Sequence, residues 1–569
     1  MAMIPDLTSV LIVGGGPCGL TLAIELGRRG IPAVLVEQKT STAVNPQANA
    51  TQARTMEHFR RLGFADEVRA LGLPKDYPTD IAYFTRYGGI ELARFRLPSA
   101  GQASEMARNL TGSWSTAELP HRVSQKYVEQ VLRRHATAER TISINYGWQL
   151  GDFLEDADGV TAQICNAETG EARKVRAQYL VGVDGARSTV RRKLNIRYSG
   201  ESGVARDFFG GKMAAVYLRA PGFYSAMRHD RAWMNWAFNS TRRSWLAAVD
   251  GREEFALHTQ LKPGEDEAVT EERAREIFSQ LTAVPVDIEV LSVDIWIAGH
   301  ALVAENFGGG RVYIGGDAAH LFTPAGGLGY NTAVEDAVNL GWKLALAVRG
   351  KAGPSLLSSY AYERRKVAIR NTGYARQFAS EIGNFVPDPA LEDDTPEGAA
   401  ARQRAGEFLN AYVRREFNIP GVTFGGRYDG SPTIIADGAA LPEDAANVYV
   451  PSASPGGRPP HLWLPDGRSL FDLFGSEWTL LELGGDTTRA ESFKAAAQRF
   501  SVELATLRLE SSEARELYES DLILIRPDQI VAWRDDGSPP DYEQVFAQLM
   551  GFVPSEQSAE ALARDAVVT

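Results

Sequence analysis

The pattern Gly14-x-Gly16-x-x-Gly19, caught between an apolar run and a helix-patterned one, limits this chain more than any other feature. Ahead of it "SVLIV" is β-branched and strand-like. Behind it "LTLAIELGRRG" spaces Leu20, Ala23 and Ile24 as a helix does, and "PAVLVEQ" reads as a second buried strand. That order is a βαβ unit, whose natural home is a parallel sheet. Each glycine has a task there. Gly14 permits the tight turn, Gly16 lets the backbone approach a pyrophosphate, and Gly19 lets helix and strand pack closely. The helix N-terminus, opened by Pro17, offers free N–H groups to phosphates. Glu37, with Gln38 beside it, ends the second strand where a carboxylate binds ribose hydroxyls. A glycine turn that served packing alone would leave Glu37 without a task, so the motif marks a dinucleotide site.

With 569 residues the chain exceeds a single core, and three or four domains are expected. A formal net charge of -12 argues against nucleic acid, which needs clustered Lys and Arg. Only two cysteines occur, Cys18 and Cys165, and neither belongs to a CxxC or a metal-ligand spacing, so no metal site is expected. No stretch approaches the roughly 20 apolar residues of a membrane helix, and a cytoplasmic location is expected.

Two later segments share the character of the first. "YLVGVDGARSTVRRKL" carries Asp184, Gly185 and Arg187 after an apolar strand. "GRVYIGGDAAHLFTPAGGLGYNTAVEDAV" places Gly316 and Asp317 at a strand end. A helix-opening loop of Pro324, Gly326, Gly327, Gly329 and Asn331 follows. Glycines just before a helix aim unpaired N–H groups at something negative, and a flavin that gains negative charge on reduction fits that need. Either segment alone reads as a capped turn; all three in order do not.

Together these segments resemble the single-component FAD-dependent aromatic hydroxylases, the group that includes para-hydroxybenzoate hydroxylase and phenol hydroxylase, over nearly the whole chain. The resemblance implies an α/β fold: a Rossmann-like FAD-binding domain of the glutathione-reductase type, an interleaved substrate-binding β-sheet domain and a C-terminal thioredoxin-like domain. The expected division is 1–74, 121–196 and 297–385 for FAD, 75–120 and 197–296 for substrate, 386–445 as helical connector and linker, and 446–569 as the thioredoxin-like domain. The prolines between Ser431 and Pro460 support a linker reading. By the same resemblance Asp184 and Gly185 serve FAD and NAD(P)H, Asp317 holds the ribityl chain, Arg54 lies in the family's RTxE run, and Gln125 touches the flavin. Gln47 stands where many members carry Arg or Lys.

The implied activity hydroxylates a phenolic ring through a flavin C4a-hydroperoxide, with non-covalent FAD, NADH or NADPH as co-substrate, and O₂; the chemistry is the cofactor's and the protein orients and excludes water. No second strand–GxGxxG–helix unit occurs, so the nicotinamide should bind transiently. Asn49, Arg122, Trp296 and Pro324 are the expected catalytic-site residues, with Trp233, Trp236 and Arg242 as further pocket candidates. Asn49 stands where phenol-hydroxylase relatives have Asp or His; an amide can hydrogen-bond a ring oxygen but cannot take its proton, so the base is left open. His320 reads as a packing residue beside the flavin loop. The C-terminal segment contains no thiol, so it is expected to be structural or oligomeric, and the resemblance points to a homodimer. Rival readings are a Baeyer–Villiger or polyketide- and quinone-tailoring oxygenase, and a flavin-bound interaction protein without catalysis.

Overall fold

The computed structural model describes residues 4–204, 208–484, 487–537 and 540–552. Five of the strands in its central eight-stranded sheet run parallel, in the spatial order Val312–Ile314, Ala172–Gly182, Leu7–Val13, Ala33–Glu37 and Ile142–Tyr146. Val10 to Val13 and Ala33 to Val36 are all buried, which is why these strands are continuous apolar runs rather than alternating ones. Helix Pro17–Arg28 packs against helices Gln125–Ala138 and Gly329–Val348. A turn at Asp156–Gly159 joins the hairpin Trp148–Asp156 and Gly159–Asn166 at the side of this sheet.

Parallel strands hold their carboxyl ends at one edge. The register sets Val13 level with Val36 and with Gly182, and Gly182 level with Ile314. Gly14, Glu37, Asp184 and Gly316 follow those four positions closely and so meet along one line, although the chain visits them far apart. Ligands of open α/β sheets bind outside such an edge.

A seven-stranded sheet stands over that edge, in the order Glu289–Ala298, Gly211–Arg219, Glu254–Gln260, Arg243–Ala248, Met234–Phe238, Ile81–Phe84 and Glu91–Phe95. All its pairs are antiparallel except Met234–Phe238 with Ile81–Phe84. Helix Pro396–Phe417, expected as part of a connector, packs on strand Glu91–Phe95 and is a wall of this layer. The segment from Ser431 to Pro460 is no loose linker either. Ser431, Thr433, Ser454 and Arg458 are buried, and Arg458 pairs with Glu57 at 2.5 and 3.0 Å. Its prolines set an extended path for a strap that packs over the parallel-sheet layer.

The last unit is an α/β layer of four strands, Leu504–Arg508, Trp478–Glu482, Leu522–Ile525 and Val531–Arg534, with helices Thr487–Arg499 and Tyr542–Leu549. No helix among the described residues is long and apolar enough to cross a membrane.

Candidate active site

A cavity of about 1400 Å³ lies between the carboxyl edge of the parallel sheet and the seven-stranded sheet. Its nucleotide end is built as the glycine pattern requires. Gly14 adopts φ +118°, and a Cβ there would meet Val183 O at 2.2 Å; a Cβ at Gly19 would meet Gly14 O at 2.0 Å. Gly16 has nothing within 4 Å of the same position, so its backbone is bare toward the cavity. Gly16 caps the helix with no side-chain bond and Pro17 opens it, leaving the first N–H groups for an anion. Glu37 accepts from Gly15 N–H at 2.6 Å and Lys39 N–H at 2.8 Å and faces the lumen beside Gln38.

Asp184 and Asp317 behave differently. The Asp184 carboxylate accepts from Ser188 Oγ at 2.5 Å and Thr189 N–H at 2.7 Å, so it shapes the turn that brings Gly185 and the exposed Arg187 to the cavity rim. Burial raises its carboxyl above the ordinary value despite these bonds. Asp317 lines the lumen and is exposed to it, and among the described residues its carboxylate has no hydrogen-bond partner; the surrounding protein raises its carboxyl above the ordinary value, with His320 opposing. An acceptor without a donor, opposite a bare glycine turn, fits the ribityl hydroxyls and pyrophosphate of FAD. His320 itself is fully buried, 2.7 Å from Asp336, which also holds Arg364 at 2.7 Å. It packs, as expected.

Pro324, Gly327 and Gly329 line the cavity where the long helix begins, which suits a loop that meets the isoalloxazine ring. Three side chains clamp this loop. Gln52 Nε2 donates to Gly326 O at 2.9 Å, Asn331 Nδ2 donates to Gly327 O at 2.7 Å, and Gly326 N–H donates to Glu416 Oε1 at 3.0 Å. Asn331 also accepts from Gln52 N–H at 2.8 Å and donates to Ala50 O at 3.1 Å. Gln125 lines the cavity and binds Glu129 at 2.8 Å; Gln47 lies within 3.5 Å of it.

The seven-stranded sheet supplies the ceiling. Side chains alternate across a pleated sheet, so residues paired across strands form rows on one face. One row is Trp236, Trp245, His258, Ala215 and Asp294, and the next is Met234, Ala247, Ala256, Tyr217 and Ser292. Every member of both rows lines the cavity. Trp245 stacks on His258 at 4.7 Å, and Trp296 stands 6.2 Å from His258. Burial lowers His258 to about 4, so it is neutral at ordinary pH. The Trp233 and Trp236 indole N–H groups and Asn49 Oδ1 are buried without hydrogen-bond partners among the described residues and lie along the same cavity.

Arg122 is the cation of this chamber. The residue is 8% exposed, and its guanidinium lies 4.1 Å from the centre of the Trp233 ring and pairs with no carboxylate among the described residues. Burial lowers it to about 10, which leaves it charged at neutral pH.

Three expected residues are elsewhere. Arg54 turns away from the cavity to Glu57 at 3.0 Å and to the Asp528 and Gln529 carbonyls, because the C-terminal hairpin needs donors there. Arg242 sits in a hairpin turn and binds Glu265, Gln260 O and Gln280 on the far side of the sheet. Asn331 shapes the loop and does not line the lumen. Trp245, His258, Glu416 and Phe417 line the cavity without having been expected. Alternation in "SWLAAVD" carries the signal for Trp245; nothing local marks Glu416.

Comparison with known proteins agrees with this geometry. The FAD binding domain family matches residues 7–374, and the C-terminal domain of aromatic-ring hydroxylases matches residues 452–552. A putative polyketide hydroxylase of Streptomyces halstedii is 32% identical over 94% of this chain and 94% of its own. The phenol 2-monooxygenase of Pseudomonas sp. strain EST1001 is 29% identical over 95% of this chain and 92% of its own. The structure of RebC with bound 7-carboxy-K252c superposes with a TM-score of 0.86 at 34% identity, covering 97% of this chain and all of that one. A bare glycine cradle, a carboxylate without a partner and an aromatic chamber on one cavity, in a chain matched over most of its length by such relatives, place it among the single-component FAD-dependent aromatic hydroxylases, as a flavoprotein monooxygenase.

Proposed function

We propose that the protein hydroxylates an acidic, fused polycyclic aromatic compound, at the expense of NADH or NADPH and O₂. Arg122 carries this reading. A buried cation with no carboxylate partner is costly unless its ligand supplies the anion. A phenolate, hydroxyquinone or ring carboxylate is the matching group. The cavity exceeds the roughly 300–1,000 Å³ of a one-ligand pocket, so a dinucleotide and a second sizeable molecule can share it. Ala215, Ala247 and Ala256 leave the middle of the ceiling flat, and the Trp236–Trp245–His258 row closes one side. That is a shape for a broad planar ligand rather than a single ring. The relatives named as a polyketide hydroxylase and as RebC with bound 7-carboxy-K252c favour the same class.

Bound FAD, reduced by the nicotinamide, supplies the activated oxygen. The chain's own residues do the rest. Asp317 and the glycine turn hold the cofactor, Arg122 and Asn49 orient the ring by its oxygens, and the aromatic walls keep water out. The test is NAD(P)H oxidation stimulated by phenol, 1-naphthol, hydroxynaphthoquinones and hydroxyanthraquinones, with the product checked for one added oxygen. Acidic polycyclic compounds should stimulate most, and Arg122→Met should raise their KM about tenfold or more, a charge-assisted bond being worth ~1.5–3 kcal/mol. Equal stimulation by phenol and the polycyclic acids would defeat the polycyclic reading.

A further inference from the structure

Attack by an electrophilic oxygen is faster on a phenolate than on a phenol, yet Asn49 cannot take a proton. We propose that Glu416 is the proton acceptor for the ring hydroxyl, a catalytic residue supplied by the last turn of helix Pro396–Phe417. This rests on the reading of the substrate as a hydroxylated aromatic ring.

Glu416 is 3% exposed and lines the cavity beside Phe417, whose ring is 6.4 Å from Trp233. Its two oxygens are not equivalent. Oε1 accepts from Gly326 N–H at 3.0 Å, which fixes the carboxylate to the loop expected to meet the flavin ring. Oε2 is buried and makes no well-aligned hydrogen bond among the described residues, since the nearby Tyr412 hydroxyl donates to Phe378 O at 3.3 Å. A buried carboxylate oxygen left without a donor costs free energy, unless a ligand brings one. A hydroxyl on the substrate ring is such a donor.

The surroundings tune the group for this task. Burial raises the Glu416 carboxyl to about 7; the nearby Tyr412 hydroxyl and Gly326 N–H lower it by less, and the charge of Glu381 adds to the rise. Glu381 is itself paired with Arg415 at 2.9 Å. The tyrosines near Glu416 are Tyr83 and Tyr412, both of which burial pushes well above the ordinary phenol range, so neither can accept a proton. His258, the histidine on the ceiling, is held near 4 and is a weaker acceptor. A base works best when its pKa lies near the working pH. In the step itself the ring O–H bond breaks and an O–H bond forms on Oε2. The electron pair stays on the ring oxygen, where it enriches the carbons ortho and para to it.

Glu416→Gln tests this, because the amide oxygen still accepts from Gly326 N–H while the proton acceptor is gone. The first readout is binding of 2-hydroxy-1,4-naphthoquinone, already an anion at pH 8, to the FAD-loaded protein by calorimetry in two buffers of different ionisation enthalpy. At pH 8 Glu416 is ionised, so an anionic ring oxygen placed against it should draw in close to one proton per site in the wild type and none in Glu416→Gln. The second readout is the pH profile with 1-naphthol. Coupled hydroxylation should rise through about pH 7 in the wild type, as the carboxyl loses its proton. In Glu416→Gln that limb should vanish and the rate fall at least about tenfold, general-base catalysis being worth roughly 10²–10⁴. Equal proton uptake in both proteins, or an unchanged pH limb, overturns the assignment of Glu416 alone. Failure of every ring acid and phenol to bind either protein overturns the substrate reading, and this assignment with it.

Discussion

At the scale of single residues, the two aspartates of the FAD-binding layer divide the work. Asp184 spends its carboxylate on its own turn, through Ser188 and Thr189. Asp317 keeps its carboxylate for the lumen. Asp317→Ala should therefore weaken FAD retention by roughly ten- to a hundredfold, the equivalent of ~1.5–3 kcal/mol for a lost charge-assisted bond. Flavin fluorescence on dilution would measure it, and full retention in the variant would show that the ribityl chain lies elsewhere. The pH dependence has a definite sign. Because the surrounding protein raises the Asp317 carboxyl, acidification protonates it earlier than an ordinary carboxylate, and flavin release should set in correspondingly earlier on acid titration. Asp317→Asn should flatten that part of the curve.

At the scale of elements, the start of helix Gly329–Val348 is held by Asn331, which joins it to Ala50, Gln52 and Gly327 with three hydrogen bonds. Asn331→Ala leaves the Gln52 N–H buried without an acceptor. The expected loss is about 1–3 kcal/mol of stability, read as a lower Tm, and a larger share of reduced cofactor diverted to hydrogen peroxide as the loop loosens. An unchanged Tm and coupling would show that Gln52 and Glu416 suffice. Local sequence made the parallel-sheet elements legible, because a strand buried on both faces, its glycine turn and its helix are adjacent in the chain. The cofactor end of the cavity follows from such units; Gly14, Glu37 and Asp317 stand where their strands end. The substrate end does not follow. Trp236 and Trp245 become neighbours only through a strand pairing, and Glu416 reaches the cavity only because a later helix lies against strand Glu91–Phe95. Arg54 and Arg242 misled for a related reason: an arginine in a suggestive motif goes to whichever acceptors lie nearest in space, and those belong to remote segments.

At the scale of the whole molecule, buried charge binds the C-terminal layer to the FAD-binding layer. Glu363 accepts from Lys343 at 2.7 Å, from Arg526 at 2.8 and 2.9 Å, and from the Ser431 and Thr433 hydroxyls at 2.7 and 3.1 Å. Arg526 also pairs with Asp528 at 2.6 Å. Burial alone would raise the Glu363 carboxyl, but Arg526 and Lys343 hold it well below the usual carboxylate range. Removing one member of such a set leaves the others uncompensated, so Arg526→Met should cost ~3–5 kcal/mol. Thermal unfolding at a fixed FAD concentration would measure this, and a change within about 1 kcal/mol would mean the two layers are joined by apolar contact instead. Arg54 extends the same seam, since its donors satisfy Asp528 O and Gln529 O from the helix that begins one residue after Gln52, the side chain that grips the flavin loop. For anyone recombining these oxygenases, the consequence is a rule about cut sites. The C-terminal layer is not an exchangeable cassette, and a chimera that imports it without matching residues at 54, 343 and 363 would inherit a lock cut for another key.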